Sequence, residues 1–315
     1  MYKRQLQEGL ITEKSTLYCS GGFTFGNRTW LCHGGVHGSI NVRQAIQVSC
    51  NSFFYQVALK LGIDRHHYYA ELMGFGQHVG VDIAEEVRGL NPSRAYLDKA
   101  IGPGNWTNSV LMNWGIGQGE VSVTPLQMAN YTATIANGGT WHQPHAVRSM
   151  YNKVLNKKLN VAYGSRQLPI DPEYFSVVKQ GMRDVVTSGT ARLVDIPGLN
   201  VCGKTGTAQV KKGMKDQSWF IAFAPMDNPT IAICVSVEGG GFGATTAAPI
   251  VRKMLELYFN KTWPADVTRD STWLKQPGMP PQSAPINPDS VPQQKGPFYP
   301  VQAIEPQRPT LKKTL

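Results

Sequence analysis

The sequence lacks an uninterrupted apolar run of about 18 residues, the length that a membrane-spanning helix needs. It also lacks the pattern of a secretory signal at its start, because Met1-Tyr2-Lys3-Arg4-Gln5-Leu6 leads directly into a predicted helix end at Gly9. A basic block is missing as well, since the formal charge of +10 is spread over interspersed acidic and basic residues. This pattern argues against a nucleic-acid-binding arm. The net charge is compatible with an anionic polymer or a membrane surface as a partner.

Proline is unevenly distributed along the 315 residues. From Trp263 onward there are 11 of the 21 prolines, mixed with Gln, Ser and Asp. A segment of this composition cannot bury enough apolar surface to fold. We therefore predict a folded domain over residues 1–262 and a disordered tail over residues 263–315.

Apolar residues at helical spacing predict a series of helices in the first 262 residues. They cover Asn41–Val48, Ser52–Leu61, His66–Met73, Thr124–Ala136, Asp171–Val186 and a last helix that begins at Ala248-Pro249. Proline at the first helical position supports the starts of the last three. The Gly-rich stretch Thr16–His37 and the stretch Gly74–Asn113 show no such periodicity, and we predict irregular loops there.

A polar stretch with few long side chains, Val201–Gln209, contains Lys204-Thr205-Gly206-Thr207. The runs Trp219–Pro225 and Thr230–Val237 are rich in Phe, Ile and Val, which predicts a hairpin that pairs with this stretch. Lys204 and Thr205 would then lie on an edge strand, where an extended peptide can pair with free backbone groups. Gly206 would allow that peptide a close approach. Taken alone, Lys-Thr-Gly is more simply a polar turn.

A second polar group, Ser49-Cys50-Asn51, lies between two predicted helices. Taken alone, Ser49 and Asn51 are most simply helix caps. A serine, an asparagine and a Lys-Thr-Gly strand are, however, the recurring polar groups of serine acyl-transferases, which include penicillin-binding proteins and serine β-lactamases. Together these residues predict an active site built on Ser49, Asn51 and Lys204.

Several separate motifs extend this likeness. They are Ser49-Cys50-Asn51-Ser52-Phe53-Phe54-Tyr55-Gln56-Val57-Ala58, Gly115-Ile116-Gly117-Gln118-Gly119, Thr124-Pro125-Leu126-Gln127-Met128-Ala129, Gly203-Lys204-Thr205-Gly206-Thr207-Ala208-Gln209, Trp219-Phe220-Ile221-Ala222-Phe223-Ala224-Pro225 and Ala247-Ala248-Pro249-Ile250. From about Gln5 to Phe259 the sequence resembles the transpeptidase domain of class B penicillin-binding proteins, in particular those of the elongation machinery. The resemblance implies an α/β (α+β) fold in which an antiparallel sheet is flanked by helices.

The resemblance also implies an activity and a setting. The family's serine attacks the D-Ala-D-Ala bond of a peptidoglycan stem peptide or a β-lactam, and a neighbouring stem's amine resolves the acyl-enzyme. By this likeness Ser49 relays a proton, Lys204 polarises the Ser49 hydroxyl, and Asn51 binds the substrate amide. Thr205, Gly206 and Thr207 belong to the strand that binds the terminal carboxylate. The expected location is the periplasmic face of the inner membrane, beside a lipid-II polymerase.

One departure concerns the nucleophile. In the family a Ser-x-x-Lys precedes the Ser-x-Asn motif, and we expect it to lie upstream of Met1, so that the sequence is an N-terminally truncated domain that does not acylate by itself. The match Ser176-Val177-Val178-Lys179 has the wrong order and is predicted to be a surface helix pair. A β-lactamase or β-lactam sensor and a non-catalytic scaffold domain are the alternative functions.

The five cysteines divide into two groups. Cys202 and Cys234 lie in apolar strands, where a buried thiol is ordinary. The others give Cys19-x12-Cys32-x4-His37-x12-Cys50, and three thiolates with one imidazole suit a structural Zn²⁺. A Cys19–Cys32 disulfide is the chief alternative, and His33 is a possible substitute for His37. The resemblance favours the metal with His37, because family members keep this histidine and the cysteine that follows the serine.

Overall fold

The structure is a computed structural model that describes residues 9–210 and 213–260. The predicted tail over residues 263–315 lies outside the described residues. Within the described part the strands are β1 (Leu17–Phe25), β2 (Arg28–Ile40), β3 (Thr140–His142), β4 (Ser149–Asn152), β5 (Lys157–Asn160), β6 (Ser165–Gln167), β7 (Cys202–Ala208), β8 (Gln217–Ala224) and β9 (Ile231–Val237). The α-helices are α1 (Val42–Gln47), α2 (Asn51–Leu61), α3 (Ile63–Leu72), α4 (Arg94–Ala100), α5 (Val110–Gly115), α6 (Pro125–Ala136), α7 (Pro172–Thr187) and α8 (Ala247–Asn260). None of these helices combines the length and the apolarity needed to cross a bilayer.

The predicted three-stranded sheet is confirmed. Its order is β7-β8-β9, and both strand pairs are antiparallel. Lys204 pairs with Ile221, which in turn pairs with Cys234 on the far strand. Strand β8 is central and almost entirely buried, as its run of Phe, Ile and Ala predicts. Strand β7 therefore lies at an edge of this sheet, as the sequence indicated.

The helices with the clearest apolar spacing pack on this sheet. Helix α7 contacts β7, α6 contacts β8 and β9, and α8 contacts β8 and β9. Thr124 caps α6 by accepting a hydrogen bond from the Gln127 amide at 3.1 Å, and Asp171 caps α7 through the Glu173 amide at 2.9 Å. Both caps precede the proline that the sequence placed at the first helical position. The predicted helices α1, α2, α6, α7 and α8 are thus confirmed, and the fold is α+β.

The prediction of a loop over Thr16–His37 was wrong. Strands β1 and β2 form a long antiparallel hairpin there, with Leu17 paired to Ile40 and Phe25 paired to Arg28. The pairing shifts register at Cys19/Ser20 and again at Ser20/Gly22. Such a bulge breaks the alternation of apolar and polar residues by which a strand is recognised. The glycines that make the bulge possible were therefore misread as a loop.

The prediction of an irregular stretch over Gly74–Asn113 was wrong in part. It contains α4 and the start of α5, which span only 7 and 6 residues and carry too few turns to show periodicity. The helix predicted over His66–Met73 begins earlier, at Ile63. Strands β3 to β6 were not predicted. They form two small two-stranded sheets, β3 with β6 and β4 with β5, in which most residues are exposed and apolar alternation is weak.

Close packing of α1 on α7 fixes the position of the Ser-x-Asn segment. Gly181 of α7 is buried, and a Cβ at this position would lie 2.9 Å from Ile46 Cδ1 and 3.1 Å from Ile46 Cβ. The missing side chain therefore lets the two helices approach closely. An ion pair between Arg43 and Asp184 joins the same helices at the surface. Helix α1, which ends two residues before Ser49, is thereby held against α7.

Replacing Gly181 by alanine tests this packing. At an exposed helix position Gly→Ala stabilises by about 1 kcal/mol. At Gly181 we expect the opposite sign, a loss of about 1–3 kcal/mol, because the new methyl group overpacks against Ile46. Urea unfolding of Gly181→Ala and of the control Ser176→Ala, on the exposed face of α7, would measure both. An unchanged or raised stability of Gly181→Ala would contradict the close approach.

Candidate active site and metal centre

Ser49 lies in a strained turn between α1 and α2. Its φ of 55° is in the left-handed region, which a non-glycine residue seldom adopts. The turn is closed by the amide of Ser49, which donates to Ile46 O at 3.3 Å, and by the amide of Cys50, which donates to Ala45 O at 3.0 Å. Left-handed residues of this kind cost about 1–3 kcal/mol and are concentrated at functional sites. The unfavourable backbone conformation at Ser49 thus indicates a functional role for this turn.

The Lys204 ammonium crosses from the edge strand to this turn. Lys204 Nζ donates hydrogen bonds to Ser49 Oγ at 2.8 Å and to Thr205 O at 2.9 Å, and it lies 3.4 Å from Thr205 Oγ1. None of the salt bridges among the described residues includes Lys204. Burial lowers the pKa of Lys204 to about 8, because a desolvated ammonium without a carboxylate loses its proton more readily. The structure therefore brings together two of the three predicted catalytic residues.

The capping interpretation of Ser49 and Asn51 was wrong, because the N-cap of α2 is Cys50. Its Sγ accepts a hydrogen bond from the Phe53 amide at 3.4 Å. Asn51 is the first residue of α2 and is partly buried. The hydrogen bonds of the described residues do not connect Asn51 to Lys204. Asn51 follows Ser49 by two residues, so the chain itself places it near the Ser49–Lys204 pair.

The far end of β7 is held by Gln118, to which the sequence assigned no individual role. Its Nε2 donates to Thr207 O at 2.9 Å, and its Oε1 accepts from the Gln209 amide at 3.2 Å. The side-chain amide thus pairs with β7 much as a neighbouring strand would. Gly117 and Gly119 on either side have φ values of 76° and 74°, so the Gly-Gln-Gly pattern places a long amide on a sharp turn. That pattern was the available signal for Gln118.

The segment after β9 contacts the predicted substrate-binding residues from a different direction. The Gly243 amide donates to Thr207 Oγ1 at 3.3 Å. A Cβ on Gly243 would lie 2.4 Å from both Gly206 O and Trp219 O, so only glycine fits against the sheet there. Thr205 Oγ1 lies 2.9 Å from Thr190 Oγ1. Gly243 and Thr190 were not predicted, since neither belongs to a local sequence pattern.

The four predicted metal ligands lie together. The ligand atoms of Cys19, Cys32, His37 and Cys50 are all within 4.8 Å of one another. His37 Nδ1 is 3.5 Å from both Cys19 Sγ and Cys32 Sγ, and Cys32 Sγ is 3.8 Å from Cys50 Sγ. Tetrahedral zinc, with bonds of about 2.3 Å to sulfur and 2.0–2.1 Å to nitrogen, separates two sulfurs by about 3.8 Å and a sulfur from a nitrogen by about 3.6 Å. The spacing of these side chains therefore fits the predicted ion.

The chemical state of the cluster also suits a cation. All five cysteines are free thiols and not disulfides. A hydrogen bond from Cys50 lowers the pKa of Cys32 well below its usual value, while the same contact raises the pKa of Cys50. The pair therefore loses its first proton more readily than a separate thiol does, and it retains the second more firmly. A thiolate is the form of cysteine that binds metals.

Two other predicted residues are placed outside these clusters. Ser176 is exposed on α7, and Lys179 Nζ donates to Ala136 O at 3.3 Å, so Ser176-Val177-Val178-Lys179 is a surface helix segment. His33 is not among the clustered ligand residues, and its ring centroid lies 5.7 Å from that of Phe242. His37, and not His33, completes the cluster.

Comparisons with known proteins all find the same family of proteins. Residues 5–256 match the family described as "Penicillin binding protein transpeptidase domain". The peptidoglycan D,D-transpeptidase MrdA of Haemophilus influenzae is 33% identical over 280 residues, which cover 82% of this chain and 42% of that protein. The structure of Pseudomonas aeruginosa PBP2 in complex with WCK 5153 has a TM-score of 0.72 and 32% identity, covering 84% of this chain and 58% of that one. A peptidoglycan synthase complex that coordinates polymerization and crosslinking has a TM-score of 0.72 and 31% identity, over 83% and 45%. The chain spans less than half the length of the MrdA relative.

The lowered pKa of Lys204 predicts a pH-dependent stability. Between pH about 8 and its ordinary value of 10.5, Lys204 is neutral in the folded protein and charged in the unfolded chain. The unfolded state then binds more protons, so raising the pH through this window stabilises the fold. We expect the free energy of unfolding of wild type to rise relative to that of Lys204→Met from pH 8 to pH 10.5. Parallel urea titrations of the two proteins would measure this, and a constant difference would place Lys204 in solvent.

Proposed function

We propose, because the chain belongs to the penicillin-binding protein transpeptidase domain family, that it forms the Ser-x-Asn and Lys-Thr-Gly part of a peptidoglycan D,D-transpeptidase. The observation that carries the proposal is the 2.8 Å hydrogen bond from Lys204 to Ser49. It joins the two motifs across 155 residues of sequence in the arrangement that acyl transfer needs. The substrate is a peptidoglycan stem peptide that ends in D-Ala-D-Ala, and β-lactams bind as mimics of it.

The Ser49–Lys204 pair supplies a path for a proton. In the acylation step the nucleophile's oxygen bonds to the penultimate D-Ala carbonyl, and the bond to the terminal D-Ala nitrogen breaks. The departing amine needs a proton, which the nucleophile gives up. Because Lys204 donates to Ser49 Oγ, the hydroxyl proton of Ser49 is free to point at that amine. Ser49 passes this proton on and is reprotonated from the nucleophile's side, and an acceptor stem's amine then resolves the acyl-enzyme.

The outer edge of β7 provides the substrate's binding surface. An extended stem peptide can pair with an open strand edge, as other peptides do. Thr207 Oγ1 accepts from the Gly243 amide, so its own proton is available to the terminal carboxylate. The neighbouring Thr205 hydroxyl and the Lys204 charge favour the same anion, and Gly206 keeps that part of β7 free of a side chain. A backbone N–H of β7 supplies one donor of the oxyanion hole, and Asn51 contacts the substrate amide.

We further propose a setting for this activity. One structural neighbour is a synthase complex that coordinates polymerization and crosslinking, which supports a lipid-II polymerase as the partner of this chain. Substrate strands made by that partner would be crosslinked at the periplasmic face of the inner membrane. The sequence has no Ser-x-x-Lys before Ser49, so the test of acylation below supplies this motif from a relative.

A chimera tests the acylation function. The segment of MrdA from Haemophilus influenzae that carries Ser-x-x-Lys is fused ahead of this chain, and labelling with fluorescent penicillin is followed over time. We expect the chimera to be labelled and the chain alone not to be. Lys204→Ala should slow labelling by about 10²–10⁴-fold, because general acid/base and positioning losses have this size.

Lys158→Ala is the control, since Lys158 is exposed on β5 and its loss should leave the rate unchanged. Two results would contradict the site. One is labelling of the chain alone at Ser176. The other is a Lys204→Ala rate within about threefold of wild type, which corresponds to less than about 1 kcal/mol of transition-state stabilisation.

We propose that Cys19, Cys32, His37 and Cys50 bind a structural zinc ion. The support is the fit between their spacing and tetrahedral coordination, together with three buried thiols. Four protein ligands leave no open position, so the ion would brace the fold and would not act on substrate. Cys50 lies between Ser49 and Asn51 and caps α2. Zinc at Cys50 would therefore fix the turn that carries the Ser49 hydroxyl.

Elemental analysis of protein purified without added metal tests the zinc site. We expect about one zinc per chain in wild type, and its loss together with a lower melting temperature in His37→Ala and Cys50→Ser, because the binding energy of a structural metal is also folding energy. Cys234→Ser, outside the cluster, is the control and should keep the zinc. Folded protein that contains no zinc, with a Cys19–Cys32 disulfide detected by mass spectrometry, would contradict the proposal. His37 and Cys50 would then have no role as ligands.

A further inference from the structure

The irregular part of β2 carries a metal ligand and a second histidine side by side. Strand pairing runs from Gly22 opposite Leu31 to Ser20 opposite Val36 and omits residues 32–35. We call these four residues the β2 bulge. Within it Cys32 is buried in the metal cluster, while His33 is exposed. One short unpaired segment therefore has one residue in the cluster and the next outside it.

His33 contacts a loop that lies near the C-terminal end of the domain's sequence. Its ring centroid lies 5.7 Å from that of Phe242, with the planes tilted by 36°. Phe242 belongs to residues 238–246, which we call the β9–α8 loop, and it is half-exposed. A ring pair at this separation lies within the range of favourable aromatic contacts. The bulge and the loop, about 200 residues apart in sequence, thus meet at these two side chains.

The β9–α8 loop is tied in turn to the carboxylate-binding end of β7. Ser218 Oγ donates to Phe242 O at 3.1 Å and accepts from the Ala247 amide at 3.0 Å. The next residue, Gly243, donates its amide to Thr207 Oγ1 at 3.3 Å. A shift of Phe242 would therefore change the position of the amide that orients the Thr207 hydroxyl.

The bulge itself depends on the cluster for its conformation. Its backbone has no partner in the β1–β2 pairing, and it includes Gly34 and Gly35, the latter with a φ of 78°. A Cβ on Gly34 would lie 2.6 Å from His37 Nε2, so the glycine that loosens the bulge also makes room for the ligand histidine. Glycine-rich backbone without strand pairing needs other contacts to keep one conformation, and one of them comes from the cluster, since Cys19 Sγ donates a hydrogen bond to Gly35 O at 3.5 Å. Cys32 is the side chain in this segment that the cluster holds.

We infer that His33 is a positioning residue that couples the metal cluster to the substrate end of β7. An ion bound through Cys32 holds the β2 bulge in place, and the bulge holds His33 against Phe242. Phe242 in turn keeps the Gly243 amide on Thr207. The inference rests on the proposed function, and it adds a second connection from the cluster to the site beside the one through Cys50 and Ser49.

Hydrogen exchange measured by mass spectrometry on the whole 315-residue chain tests this coupling. In zinc-loaded His33→Ala we expect amides of residues 239–246 to exchange about two- to tenfold faster than in wild type, which is the size that loss of one aromatic pair allows. The zinc content should be unchanged. His33→Phe should restore the slow exchange. Leu31→Ala, which removes an exposed side chain on the other side of Cys32, is the matched control and should behave as wild type.

Zinc removal distinguishes coupling of the metal cluster to the β9–α8 loop from a local contact between His33 and Phe242. Stripping zinc from wild type with a chelator should speed exchange of residues 239–246, and His33→Ala should then add no further increase. Unchanged exchange in zinc-loaded His33→Ala would overturn the inference, as would unchanged exchange after verified zinc loss. Loss of zinc in His33→Ala would also overturn it, by making His33 a ligand.

A second readout uses the penicillin-labelled chimera. Because Thr207 binds the carboxylate, His33→Ala should weaken the apparent binding of penicillin by about two- to tenfold while leaving the labelling rate at saturation unchanged. A drop in the saturating rate alone would contradict a role at Thr207. The exchange experiments need no acylation, so a chimera that fails to label would defeat the proposed function and leave the test of His33 intact.

Discussion

The hydrogen bond from Lys204 to Ser49 is the constraint on which the site depends. It joins a helix turn to a sheet edge, and each partner is held in place by different packing. Helix α1 is fixed by its close approach to Gly181 of α7, and β7 is fixed by its ladder to β8. The ammonium is partly withdrawn from water and has no carboxylate partner within the described residues. Burying a cation in this way is unfavourable for stability, and it leaves the charge available to polarise Ser49 and to attract an anion.

A close glycine and two uncommon side-chain contacts shape the surroundings of this bond. Gly243 lies so close to Gly206 and Trp219 that any side chain at Gly243 would displace the sheet. Gln118 completes the far end of β7 with a side-chain amide in place of a strand. Cys50 caps a helix with sulfur while also belonging to the metal cluster. Cys50 thus has two roles, and the proposed zinc ion would act on the site through a residue that already defines its geometry.

Elements with long and regular patterns could be predicted from the sequence, and elements defined by tertiary contacts could not. Strands β8 and β9 and helices α6 and α7 were recognised because their apolar spacing continues over many residues. The β1–β2 hairpin was missed because its bulge interrupts the alternation that identifies a strand. The metal ligands, three of which lie on that same hairpin, were nonetheless predicted, since cysteine and histidine spacing does not require knowledge of the secondary structure. Gly243 and Thr190 carried no local signal, because their importance comes from the strand that they contact.

The two clusters differ in how far apart their residues lie along the chain. Cys19, Cys32, His37 and Cys50 fall within residues 19–50, whereas Lys204 and Ser49 are separated by 155 residues. Local contacts form early in folding, and contacts between distant segments wait for the intervening chain to be organised. During synthesis from the N-terminus, domains and their parts emerge in order. The four proposed ligands can therefore come together while the strand that carries Lys204 is still to be made. The turn that contains Ser49 would then take its conformation before Lys204 is synthesised.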